Sequence, residues 1–76
     1  MEFTPSLNQQ LLDAHEQNDN PVLVLLYTKA ADKSEQSGNI DAACFYLTHA
    51  YVFALQEGMI EANALRQRLV KYGRED

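Results

Sequence analysis

The segment from Ile40 to Glu57 contains neither glycine nor proline, and its apolar residues are not confined to one side. At roughly 100° per residue, Ile40, Ala43, Cys44, Leu47, Ala50, Tyr51 and Ala54 share one helical face, whereas Phe45, Val52 and Phe53 flank His49 on the opposite one. Such a helix cannot rest on a domain with one whole side in water, because both sides call for cover. Frequent alanines and the absence of a β-branched run argue against an interior strand. Any fold of this chain has to be built around that rod.

Glycines and prolines divide the remainder into helical stretches. The first, over about residues 5–17, is expected to be capped by Thr4 with Pro5 at its first position, and Leu7, Leu11 and Ala14 form its apolar stripe. An Asx-rich turn leads to Asn20-Pro21, read as the cap and first turn of a second helix over 21–37. In that helix Leu23, Leu26, Tyr27, Ala30 and Ala31 gather on one side. Val22 and Leu25 lie off the stripe and are expected under the first helix or under another chain. Gly38 supplies the left-handed residue that closes it, and Asn39 caps the third helix, 40–57, with Asp41 in its first turn. A fourth helix over 59–72 follows Gly58, repeats the amphipathic spacing through Ala62, Leu65, Leu69 and Tyr72, and ends at Gly73. The predicted fold class is all-α, a small antiparallel bundle of about four helices in one domain spanning residues 1–76.

Length and charge narrow the functions open to such a domain. A chain of 76 residues has room for one core and buries only about 60% of its unfolded surface, so association is an attractive source of further cover. Eleven acidic and six basic side chains give a net charge of -5, which disfavours nucleic acid as a partner. The acidic start Met1-Glu2-Phe3 lacks the basic flank and apolar stretch of an export signal. The longest aliphatic run, Val22 to Leu26, is far short of the ~20 residues that span hydrocarbon, so a soluble chain away from membranes is expected. A single cysteine, Cys44, leaves no intramolecular disulfide to form, and a reducing cytoplasm is the expected compartment.

The hairpin from Tyr27 to Leu55 resembles one tetratricopeptide repeat, in which two antiparallel helices pack small residues against large ones at fixed offsets. Tyr27 stands at the leading aromatic position, Ala31 at the small position of the first helix, Gly38-Asn39 at the turn, and Ala43, Leu47 and Ala50 at the small, large and small positions of the second. Ala30 replaces the usual leucine, Ser34 an aromatic and Leu55 the closing proline. The resemblance implies a scaffold that presents a helical surface to a peptide or protein rather than a catalyst. No residue set for gripping a peptide carboxylate is recognisable, and one hairpin is fewer than the roughly three repeats an autonomous array needs.

Candidate chemistry is sparse. His49 sits among Phe45, Tyr46 and Phe53, where it reads as a partly buried filler or an interface residue. His15 and His49 do not form the i, i+4 pair of a helical zinc site, and one cysteine cannot complete one. Cys44 and His49 are about 140° apart around one helix, which forbids a thiolate–imidazole pair within it. No phosphate loop or nucleophile elbow is present, so the chain is expected to be neither an enzyme nor a cofactor or metal carrier. Arg66, Arg68, Lys71 and Arg74 read as the favourable cations of a helix carboxyl end, with an acidic partner, a symmetry mate included, as the competing account.

The function this supports is a non-catalytic protein-protein interaction or adaptor module. It docks through Phe45, His49, Val52 and Phe53 onto a helix of another protein or onto itself, a homodimer being the simplest case. For Phe45, Val52 and Phe53, intrachain core and interface both stay open. A small-molecule-binding or accessory enzyme subunit, with a pocket near His49, Tyr46 and Cys44, is the alternative.

Overall fold

A computed structural model describes residues 6–74, so the expected Thr4 cap and Pro5 lie outside the described residues. Its elements are α1 (Leu7–Glu16), α2 (Asn20–Gln36), α3 (Ile40–Gln56) and α4 (Glu61–Lys71), with no strand among the described residues. The protein is all-α, as its periodicity predicts.

Helix starts follow their caps. Ser6 Oγ accepts the Gln9 amide at 3.1 Å, and α1 therefore begins at Leu7, two residues later than expected. Asp19, not Asn20, caps α2, its Oδ1 accepting from the Val22 amide at 3.4 Å. Asn20 and Pro21 then occupy the first turn, where a missing N–H costs nothing, and the Asn20 side chain is left to donate to Glu57 Oε1 at 2.9 Å. Asn39 caps α3 as expected, accepting from Ala42 at 3.2 Å. Met59 stands at the same twenty-residue interval after Asn39 as Asn39 does after Asp19, but its side chain packs against the core and cannot cap. Consequently α4 has no side-chain cap and begins at Glu61 rather than at Met59.

All four helices end in one way. Asn18, Gly38, Gly58 and Gly73 adopt φ of 53°, 78°, 64° and 72°. The amide that follows each reaches back to the carbonyl of Ala14, Ser34, Ala54 or Leu69 at 2.9 Å, the closure of a Schellman motif. Turns of this kind, three residues long before α2 and α3 and four before α4, reverse the chain, so consecutive helices are antiparallel.

The helices lie side by side in chain order: α1 packs on α2, α2 on α3 most extensively, and α3 on α4. Among the described residues no other helix pair brings Cα atoms within 8 Å. Leu23, Leu47 and Leu69 are the largest fully buried side chains, one from each of α2, α3 and α4. Ala31, Ala43, Ala50 and Ala54 have no exposed surface, and their small size lets α2 and α3 approach closely. Val24 is buried with them. Val22 and Leu25 remain exposed, so of the two covers expected for them, the first helix or another chain, the first is excluded: α1 packs elsewhere, and Leu25 faces a cleft shared with α4.

Polar clamps tie the last helix to the second across this array. Arg68 donates to Asp32 at 2.8 Å and to Glu35, and the Tyr72 hydroxyl also donates to Glu35. Donation from Tyr72, assisted by Arg68 and opposed by partial burial, holds the Glu35 carboxyl below its ordinary range. The same bond raises the Tyr72 phenol above its usual value.

Candidate functional site: the outer face of the third helix

Tyr27 of α2, buried, is the hub on which the aromatic residues of α3 converge. The Phe53 ring stacks on it at 6.0 Å between centroids with planes 10° apart, the His49 ring lies at 5.1 Å and the Tyr46 ring at 6.3 Å. From α1, His15 meets the edge of Phe53 at 5.8 Å and shares a hydrogen bond with the Tyr27 hydroxyl at 3.0 Å. Burial, and secondarily Tyr46, raises the Tyr27 phenol above its ordinary value.

This cluster divides the four residues singled out from the sequence. Phe53 and His49 are half-buried and packed within the chain, whereas Phe45 is 57% and Val52 44% exposed. The group is thus part core and part surface. The reason is geometric: α1 and Tyr27 cover only the flank of α3 that carries His49 and Phe53.

Beyond that flank runs a continuous exposed strip. Phe45, Thr48, Val52 and Leu55 follow one another at spacings of three, four and three, the a/d pattern of a helix that packs along another helix. All four are exposed, Leu55 to 54%, and the strip continues onto Ile60 at 87%. Leu55 lies outside the sequence-derived set and matches the closing-proline position of the repeat. The three-four spacing from Phe45 is the sequence signal that marks it.

Two polar side chains along the strip bond back to their own helix. Thr48 Oγ1 donates to the Cys44 carbonyl at 2.8 Å. His49 Nδ1 donates to the Phe45 carbonyl at 2.9 Å; since a carbonyl only accepts, that nitrogen carries the proton. Asp41 is the only charged residue in α3, at its first turn, and it is paired with Arg74 at 2.6 Å.

The pocket expected near His49, Tyr46 and Cys44 is not one site. Cys44 and His49 line a depression with Asp41, Phe45, Thr48 and Arg74, whereas Tyr46 lines a separate one with Leu7 and Ala30. Cys44 is a buried free thiol. A larger apolar cleft of about 420 Å³ opens instead between α2 and α4, walled by Val24, Leu25, Thr28, Ala64 and Leu65. Of the basic residues at the end of α4, Arg68 and Arg74 are engaged by Asp32, Glu35 and Asp41 of this chain, and the Lys71 ammonium lies 5.5 Å from the Tyr72 ring centroid. Among the described residues no group of three His, Cys, Asp or Glu side chains is placed to hold a metal ion. No helix among them is long and apolar enough to cross a membrane.

The fold and this surface define a small all-α protein with an unpartnered apolar helix face. No protein-family model, no curated protein and no solved structure matches the chain.

Proposed function

We propose that this chain is a non-catalytic protein-interaction module that docks a helical partner along the outer face of α3. The observation that carries the reading is the run of Phe45, Val52 and Leu55, large apolar side chains exposed on one helix at packing-helix spacing and interrupted by no charge. A solvent-facing helix surface ordinarily carries charged and polar residues. The similarity of Tyr27–Leu55 to a tetratricopeptide repeat points the same way, and burial of Tyr27, Ala31, Ala43, Leu47 and Ala50 supports it. Leu55, at the proline position, is turned outward. A buried free thiol suits a reducing cytoplasm.

The test is affinity capture with the wild-type chain and with Val52→Asp, each checked for helicity. Partners held by the wild type and lost from the folded variant support the reading; identical retention contradicts it. A second reading, a small-molecule binder, rests on the α2–α4 cleft, whose volume of about 420 Å³ lies within the range of ligand sites. Ligand-observed NMR with small apolar probes tests it, with Ala64→Phe as the blocked control.

A further inference from the structure

Resting on the second reading, in which the α2–α4 cleft takes a small molecule, we propose that its ligand is a small organic cation, with an ammonium group at Glu61 and an alkyl or aryl body between the helices. The cleft exists because α2 and α4, which run parallel, stand too far apart to pack. No Cα atom of one comes within 8 Å of the other, whereas packed helices, with axes about 8–10 Å apart, bring facing Cα atoms closer than that. At their carboxyl ends Arg68 and Tyr72 bridge to Asp32 and Glu35. At the amino ends Pro21 and Met59 line the cleft. Val24 and Leu65 are its buried residues, and Leu25 and Ala64 its exposed ones. One turn of a helix with its side chains, ~10 Å across and ~5.4 Å tall, displaces about as much as the whole cleft, whose volume is about 420 Å³. A small molecule therefore fits where a length of helix does not.

The polar groups on the walls select the charge of that molecule. Thr28 Oγ1 donates to the Val24 carbonyl at 2.7 Å, and Arg68 is bound by Asp32 and Glu35. Glu61, in the first turn of α4, has no hydrogen-bond or ion-pair partner among the described residues. Glu57 adds a second negative charge at the same end, held at 2.9 Å by the neutral amide of Asn20, the neighbour of Pro21. Arg68 is the only cation that lines the cleft, and it is already outnumbered by its own two carboxylates. A carboxylate ligand would have to displace Asp32 or Glu35 from it and would approach a negative field. An uncharged ligand would bury the same apolar surface but leave Glu61 without a partner. An organic cation uses both, its body covering the apolar walls and its charge meeting the one carboxylate left open.

The test compares octylammonium, octanol and octanoate, which share one chain and differ in head group, by amide shifts of the full chain in proton–nitrogen spectra. Octylammonium should bind about threefold to fivefold more tightly than octanol, and octanoate more weakly than octanol by a similar factor. Glu61→Gln, with its helicity confirmed by circular dichroism, should remove most of that preference. Shortening the ammonium's chain should weaken binding by about fourfold for each methylene removed, which separates cleft binding from bare attraction to an acidic surface. The shifts should centre on Val24, Leu25, Ala64 and Leu65 and be lost in Ala64→Phe. Equal affinities for the three compounds, octanoate binding tightest, or a preference unchanged in Glu61→Gln would overturn the proposal and leave the cleft as a small-molecule site. If none of the three binds, or if binding survives Ala64→Phe, both fall.

Discussion

His15 on α1 and Tyr27 on α2 share a 3.0 Å hydrogen bond, and each ring also contacts Phe53 of α3. Two helices that are neighbours in sequence are thereby joined to a third. Without this bond α1 would be held by the edge contact of His15 with Phe53 and by its apolar stripe, of which only Ala14 is fully buried. Tyr27→Phe keeps the ring and removes the hydroxyl, so a loss of about 1 kcal/mol is expected in urea unfolding, with faster amide exchange concentrated in α1. The Tyr27 phenol is raised by burial. Its stabilising contribution is therefore full below pH ~10 and is lost as pH climbs through the folded value, which an alkaline ultraviolet titration follows.

The Glu35–Tyr72–Arg68 clamp gives stability an acid edge and an alkaline edge. Glu35 is depressed in the folded chain, so its contribution is present above the unfolded value of 4.5 and disappears as pH falls through the folded one. Tyr72 is raised, so its contribution is present below 10.0 and fades above it. Tyr72→Phe should weaken both edges in melting curves recorded from acid to alkaline pH, and equal loss at every pH would show that the hydroxyl is not bound to a charged Glu35.

Left-handed helix ends set the cost of glycine replacement. Gly38 and Gly58 have open space where a Cβ would stand, so the cost there is backbone conformation alone. Gly58→Ala should destabilise by about 1 kcal/mol, and Asn18→Gly at the equivalent end should be neutral or stabilising by a few tenths. Thermal melts of the two variants check the pair of signs.

Neighbouring positions on α3 should respond oppositely to a charge. Phe53 stacks on Tyr27, so Phe53→Asp buries an unpaired carboxylate in an aromatic cluster and should unfold the domain. Val52, 44% exposed, should accept aspartate within about 0.5 kcal/mol in the monomer. Denaturant midpoints measured at low protein concentration separate the two.

Most of the fold was legible in the sequence because local signals agreed. Gly38, Asn39, Gly58 and Gly73 act where their chemistry predicts, and Ala43, Cys44, Leu47, Ala50 and Ala54 are buried as the helical period requires, with Tyr51 partly so. The starts of α2 and α4 were less legible. Asp19 and Asn20 are both good caps, and only the three-dimensional turn chooses between them; Met59 gives up a cap position for a core contact that no local rule reveals. The candidate surface was half legible. The spacing of Phe45 and Val52 marks an outer strip, but the cover that His15 and Tyr27 give to His49 and Phe53 is a tertiary event, and so is the cleft between α2 and α4. Arg68 illustrates the same limit: its sequence position suggests a solvated helix end, and its partners Asp32 and Glu35 come from a helix more than thirty residues earlier.

The central claim is that α3 is covered by its own chain on one side and by association on the other. Amide proton–nitrogen spectra recorded on dilution from about 1 mM to about 10 µM test it most directly. Shifts confined to Phe45, Thr48, His49, Val52 and Leu55, and abolished in Val52→Asp, are the expected result. Spectra that do not move, from a chain that also captures no partner lost in Val52→Asp, or shifts centred on Leu25 and Ala64 at the α2–α4 cleft, would contradict it.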